Sequence, residues 1–138
     1  MAKSTVEVFL TGALLDTTVL IDLSRGNNDA ADFVDAGRQA EIPLCISVIS
    51  AMELIFGCRD KAEVEMIKQL IADFTLLHLT PAESVKAYDL MLSYSKSHHL
   101  AIPDALIAAT ALTHNLELAT DNDRHFRMIP DLRVSRPY

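Results

Sequence analysis

The chain has 138 residues, half of them apolar, with 19 acidic against 12 basic side chains and a formal charge of −7. One domain of this length can fold without disulfides or a structural metal, and its apolar content excludes a disordered polymer. The acidic balance excludes a protein that coats nucleic acid by bulk charge, but not an enzyme that meets it locally.

Residues 1–11 read as a loose extension before Gly12. Ala13-Leu14-Leu15 is a short apolar run of the kind that forms a buried parallel strand, ending at Asp16. Thr17 to Ser24 reads as a short helix, 25–28 as a break, and Asp29 to Ala40 as a second helix with Phe33 and Val34 on its apolar side. Pro43 to Ile46 is the second strand. Ser47 is placed to cap a helix that carries Glu53 and stops at Gly57. Lys61 to Phe74 is amphipathic, with Val64, Ile67, Leu70 and Ile71 on one stripe. Thr75 to Leu79 is the third strand. Thr80-Pro81-Ala82-Glu83 is a capping box with proline at the first helical position, and opens a helix to about His98. Pro103 opens another to about His114. Leu116 to Ala119 is a fourth strand, and Leu132-Arg133-Val134 is the candidate for a fifth. Strands alternating with helices predict a single α/β domain over 1–138, its parallel sheet covered on both faces.

Cys45 and Cys58 are too few and too widely spaced for a zinc site and read as free thiols of a reducing cytoplasm. Glu7 interrupts the N-terminal apolar stretch, so no signal peptide is read. Asp16, Asp22, Asp104 and Glu117 break every run approaching the roughly 18 apolar residues of a membrane span. The expectation is a soluble cytoplasmic protein. Its apolar excess predicts an interface with a partner or a second copy.

In α/β folds of this kind ligands collect beyond the carboxyl ends of the strands. Asp16 follows the first strand there, and Glu53 lies on the helix after the second. Asp104 lies in the first turn of the Pro103 helix, and Asp121, Asn122 and Asp123 follow the fourth strand. Each has an ordinary structural reading as a turn, cap or surface residue. Glu53 among Met52, Leu54 and Ile55 reads as partly buried, which is costly for a charge without a partner. Four separate segments delivering acids to one sheet end carry more weight than any one of them. Such a cluster repels itself unless cations neutralise it. Hard oxygen donors suit Mg²⁺ or Mn²⁺, which activate water and stabilise a departing oxygen in phosphodiester hydrolysis.

These residues resemble a known family. Leu14-Leu15-Asp16-Thr17-Thr18-Val19-Leu20-Ile21 is similar to the opening motif of PIN-domain nucleases, and residues 46–57, around Glu53, to the second motif. Ile102-Pro103-Asp104-Ala105 resembles the third, and Thr120-Asp121-Asn122-Asp123-Arg124-His125-Phe126 the fourth. The ending from Ile129 to Val134 resembles the tails of VapC-type toxins of bacterial toxin–antitoxin pairs. The resemblance covers nearly everything from Gly12 to Tyr138. It implies a PIN-like three-layer α/β/α fold around a central, mostly parallel, four- to five-stranded sheet. It also implies Mg²⁺- or Mn²⁺-dependent endoribonuclease activity on RNA such as tRNA or ribosomal RNA, a homodimer, and neutralisation by a cognate VapB-type antitoxin.

Carried over residue by residue, Asp16, Glu53 and Asp104 match the three core acids and the metal-holding positions. Thr17 matches a hydroxyl position beside the first acid, and Thr120 the hydroxyl of the fourth motif. The position of a fourth Asp in many members falls on Asn122, so Asp121 and Asn122 both stand as candidates to complete the site, with Asp123 alongside. An uncharged Asn would hold a second ion more weakly. The products implied are 5′-phosphate and 3′-hydroxyl ends.

Arg124, Arg127, Arg133 and Arg136 make the tail locally positive, and Arg25, Arg59 and Lys61 lie in loops after candidate acids. All seven are candidate RNA contacts. The five histidines lack ligand spacing, and only His125, beside Phe126, is weighed as a substrate contact. Met52, Met66, Met91 and Met128 read as core or interface filler, and Tyr88 and Tyr94 as packing or dimer residues. A receiver-type phosphoacceptor domain lacks its acidic pair and late lysine here. A haloacid-dehalogenase-like phosphatase lacks its second Asp, since that residue is Thr18. The remaining alternative is a non-catalytic PIN-like module that binds protein or RNA.

Overall fold

The computed structural model describes residues 12–138, so the extension read at 1–11 lies outside the described residues. The strands are β1 (Ala13–Leu15), β2 (Leu44–Ser47), β3 (Thr75–Leu77), β4 (Glu117–Ala119) and β5 (Val134–Ser135). The helices are α1 (Thr17–Ser24), α2 (Asn28–Gln39), α3 (Val48–Phe56), α4 (Lys61–Ala72), α5 (Pro81–Tyr94) and α6 (Ile102–Thr113), with a 3₁₀ turn at Asp123–His125.

All five strands are parallel, in the order β3-β2-β1-β4-β5. Strand side chains alternate between two buried faces, as period two requires. Leu14 and Leu118 point into a core with Leu90, Ile107 and Phe126, beneath α5 and α6. Ala13, Leu15, Ile46 and Ala119 point into a second core with Leu20, Val34 and Leu54, beneath α1, α2 and α3. The result is the three-layer α/β/α sandwich. Gly12 is required where β1 begins. Its φ is +105°, and a Cβ there would stand 3.0 Å from both the Pro43 carbonyl oxygen and Leu116.

Several boundaries move for tertiary reasons. Strand β3 stops at Leu77, opposite Ser47 where its ladder partner β2 ends. Strand β5 is centred later than expected, because Val134 and Ser135 pair with Leu118 and Ala119. Helix α5 ends at Tyr94, and the chain turns through left-handed His99 (φ 55°). That turn lets Leu100, 4% exposed, return to the core. The capping box forms: the Thr80 N–H donates to Glu83 Oε2 at 3.0 Å. Glu83 is fully buried, and its other oxygen meets His114 Nε2 at 2.9 Å. Among the described residues no helix is long and apolar enough to cross a membrane.

Candidate active site

The strand order reverses between β1 and its neighbours β2 and β4, so a crevice opens at the carboxyl end of β1. Asp16 occupies that spot. Its N–H donates to the Ala119 carbonyl at 2.9 Å, which continues the β1–β4 ladder one residue past the strand. It stands at the N-cap position of α1, yet its side chain caps no backbone N–H. Instead Asp16 Oδ2 accepts from the hydroxyls of Thr120 at 2.7 Å and Thr18 at 3.2 Å. The carboxylate is 4% exposed and held by hydroxyls rather than by a cation of the protein. The simple cap reading of Asp16 therefore fails.

Glu53 projects from α3, whose buried face is Ser50, Ala51 and Leu54. The expected partial burial of Glu53 is not found: it is exposed, at the edge of that buried face one turn from Ser50, where the crevice leaves it open to solvent. Its Oε1 accepts from Thr17 Oγ1 at 2.8 Å, and Ser50 Oγ lies 2.9 Å from the same hydroxyl. The Thr17–Glu53 bond ties α1 to α3 across the crevice. Asp104 lies in the first turn of α6, half-buried, with His125 Nδ1 at 3.4 Å from its Oδ2.

The three candidates after β4 separate. Asp121 is half-buried and faces Asp22 of α1, with Asp16 and Arg136 near enough to affect its charge. Its N–H donates to Thr18 Oγ1 at 3.2 Å. Asn122 has an exposed side chain, while its N–H donates to Thr120 Oγ1 at 3.0 Å. Asp123 is 5% exposed and ion-paired with Arg127 and Arg136. It is neutralised in place. Of the tail's arginines, Arg127 and Arg136 are thus engaged by Asp123, and Arg133 donates to the Asn115 carbonyl at 2.9 Å. Arg59 is paired with Glu63. Arg124, Arg25 and Lys61 make no ion pair among the described residues, so the free positive charge is smaller than the sequence suggests.

Thr18, Ser50, Asp22 and Tyr138 are partners that sequence reasoning did not single out. The Tyr138 hydroxyl donates to Asp22 Oδ2 at 2.6 Å, 116 residues away. No local pattern announces that contact. Thr18 could have been found from its place two residues after Asp16.

Electrostatics unites the site. Burial raises the Asp104 carboxyl above the usual carboxylate range, the charges of Asp16 and Glu53 raise it further, and His125 opposes them. Burial and then Asp22 raise Asp121, with Asp16 adding to the effect. Uncompensated negative charge on hard oxygens is the donor chemistry of a divalent-cation site. Among the described residues no three His, Cys, Asp or Glu side chains converge to hold an ion directly.

A parallel α/β/α sandwich with carboxylates at its switch point defines a class, and the comparisons agree with it. The PIN domain family model matches residues 13–132, and the chain belongs to that family. Within it stand the VapC toxins. Ribonuclease VapC10 of Mycobacterium tuberculosis is 40% identical over 121 residues, covering 87% of this chain and 90% of the relative. Ribonuclease VapC of Rickettsia bellii is 31% identical over 134 residues, covering 89% and 94%. Among solved structures, a toxin–antitoxin complex from Klebsiella pneumoniae superposes with a TM-score of 0.75 at 32% identity, covering 92% of this chain and 98% of that one. DNA-bound VapBC from Salmonella typhimurium shares the fold, with a TM-score of 0.78 at 20% identity.

Proposed function

We propose that the chain is a Mg²⁺- or Mn²⁺-dependent endoribonuclease toxin, acting on cellular RNA of the tRNA or ribosomal class and silenced by a VapB-type antitoxin. What supports this reading is that three segments bring acids toward one end of the sheet: Asp16 past β1, Glu53 bonded to the adjacent Thr17, and Asp104, whose carboxyl the charges of both raise.

In this reading Asp16 and Asp104 would hold the cation, and Glu53 would hold it through water or orient the nucleophile. Asp121 rather than Asn122 completes the acidic shell, because Asp121 is the one that feels Asp16. A bound cation would lower the pKa of a water and offset negative charge on the phosphate. Thr120 and Thr18 fix the orientation of Asp16. Thr17 engages Glu53 Oε1 and leaves Oε2 to receive a proton from the attacking water. In-line attack leaves 5′-phosphate and 3′-hydroxyl ends. Arg124 and Arg25 hold flanking phosphates, so affinity falls with salt.

Two surfaces support partners. A cavity of about 520 Å³ at Glu53 is lined by Ile21, Leu54, Met66 and Ile67 together with the charged Arg25, Arg59 and Glu63. Phe56, 93% exposed, stands with Met52 and Ile55 on the same helix, α3. This exposed apolar side of α3, on the helix that carries Glu53, suits an antitoxin segment with apolar and basic side chains. Val85, Tyr88 and Leu92 form an exposed stripe on α5, with Ile102 also exposed at the start of α6, and suit a second copy of the chain.

The test is cleavage of total RNA by partner-free protein with Mn²⁺, with Mg²⁺ and with chelator, beside Asp104→Asn. Discrete products that need the metal and Asp104 are expected. Folded protein that cleaves nothing and takes up no Mn²⁺ would favour a non-catalytic binding module.

A further inference from the structure

His125 is 59% exposed, and a histidine so exposed is ordinarily a solvated surface group. Its backbone, however, is held on both sides. Asp123, two residues before, is buried and paired with Arg127 and Arg136. Phe126, the next residue, is fully buried in the core under α6. The His125 N–H donates to the Asn122 carbonyl at 3.0 Å, and the Phe126 N–H to the Asp123 carbonyl at 3.1 Å. The 3₁₀ turn is thus anchored by an ion-pair cluster and a core aromatic. The imidazole it presents spans to the first turn of α6, where Nδ1 meets Asp104 Oδ2 at 3.4 Å.

We propose that His125 is a positioning residue for Asp104: its Nδ1–H holds Oδ2 and leaves the other carboxylate oxygen available to the divalent cation. An ionised carboxylate only accepts, so the proton in this contact belongs to the ring nitrogen. Asp104 has one backbone anchor, the helix start, and two side-chain torsions to settle. A donor on an independently anchored turn removes that freedom before the ion arrives, as outer partners of metal ligands do elsewhere. The contact also explains the construction of the turn: Asp123 serves there by neutralising arginines and Phe126 by packing, and together they place His125. The inference rests on the nuclease reading of the site.

Three single variants separate this role from an RNA contact made through the outer ring nitrogen. His125→Asn keeps a donor near the place of Nδ1, His125→Gln keeps one near the place of Nε2, and His125→Ala keeps neither. Each is made in the full chain, freed of partner, checked by thermal melt, and titrated with Mn²⁺ by electron paramagnetic resonance. RNA cleavage is then measured at saturating Mn²⁺. The expected result is Mn²⁺ binding about tenfold weaker in the Ala and Gln variants and within about threefold of wild type in the Asn variant. KM for RNA stays unchanged in all three. Asn behaving like Ala, or all three binding Mn²⁺ like wild type, would overturn the proposal. So would rescue by Gln with a raised KM in the others, which would assign His125 to the substrate. The expected Mn²⁺ pattern in a protein that cleaves no RNA would refute the nuclease reading and leave the role of His125 standing. A wild type that takes up no Mn²⁺ would overturn both.

Discussion

Thr120 Oγ1 and Asp16 Oδ2 are 104 residues apart in the chain and 2.7 Å apart in the fold. Thr120 is fully buried and also accepts the Asn122 N–H at 3.0 Å. One hydroxyl therefore orients the central acid and shapes the loop that carries Asp121. Thr120→Val keeps the shape and removes both bonds. It is expected to cost about 1–3 kcal/mol of stability, since it leaves the buried Asp16 carboxylate with Thr18 alone and strips the Asn122 N–H of its acceptor. Urea unfolding checks this, and Thr120→Ser should recover most of the loss. A Val variant as stable as wild type would show that the bond does not organise the site.

Asp104 is held where burial and the charges of Asp16 and Glu53 disfavour its ionisation. A group whose folded pKa is raised costs stability as pH rises through and above its unfolded value of 3.8. Asp104→Asn is therefore expected to melt a few degrees higher than wild type at pH 7 in chelator. The difference should shrink toward zero as pH falls below that unfolded value. Mn²⁺ should raise the wild-type melting temperature and leave the variant nearly unmoved. A variant less stable than wild type at pH 7 would remove the electrostatic argument for the site.

Glu117 and Glu83 are both buried and titrate in opposite directions. Burial raises Glu117, with Ser135 and Arg133 opposing, and among the described residues its Oε2 has no hydrogen-bond partner. Burial also works against Glu83, but hydrogen bonds from Thr80, its own backbone N–H and His114 outweigh it and hold the carboxyl below the usual range. The stabilising contribution of Glu83 is present above its unfolded value of 4.5 and lost as pH falls below it. Glu117→Gln should thus be stabilised at pH 7 relative to acid pH, and Glu83→Gln destabilised at pH 7 with the deficit closing in acid. Thermal melts from pH 3 to 8 on both variants give the comparison. Parallel curves for the two variants would refute it.

Phe56 is 93% exposed at the end of α3. Phe56→Ser should leave stability within about 0.5 kcal/mol, because the ring packs on little of its own chain. Affinity for the cognate antitoxin should fall about 30-fold or more, as expected of an aromatic anchor. Calorimetry with purified antitoxin reads this directly. Unchanged affinity would move the docking site off this side of α3.

Much of the architecture was legible in order. Short apolar runs ended by Asp16 and Ser47, the capping box at Thr80 and the proline at the start of α6 are local devices with local signatures, and each stands where the sequence placed it. Boundaries slipped where a partner strand ended, as at Leu77, or where a buried residue such as Leu100 drew the chain inward. Asp16, Glu53 and Asp104 could be nominated because a strand end, a helix face and a helix start each carry an acid.

By itself the sequence determined the strand–helix alternation, the four acid-bearing segments and the family they belong to, because periodicity, caps and motif spacing act over a few residues. Only the tertiary structure distinguishes the surroundings of Asp121, Asn122 and Asp123, which are adjacent in the chain. Asp123 is neutralised by Arg127 and Arg136, Asn122 faces solvent, and Asp121 meets Asp22 and Asp16. Those fates depend on groups brought together by the β1–β4 pairing and by the return of β5 alongside it. Charge acts through space, so its consequences appear only once the chain has closed on itself.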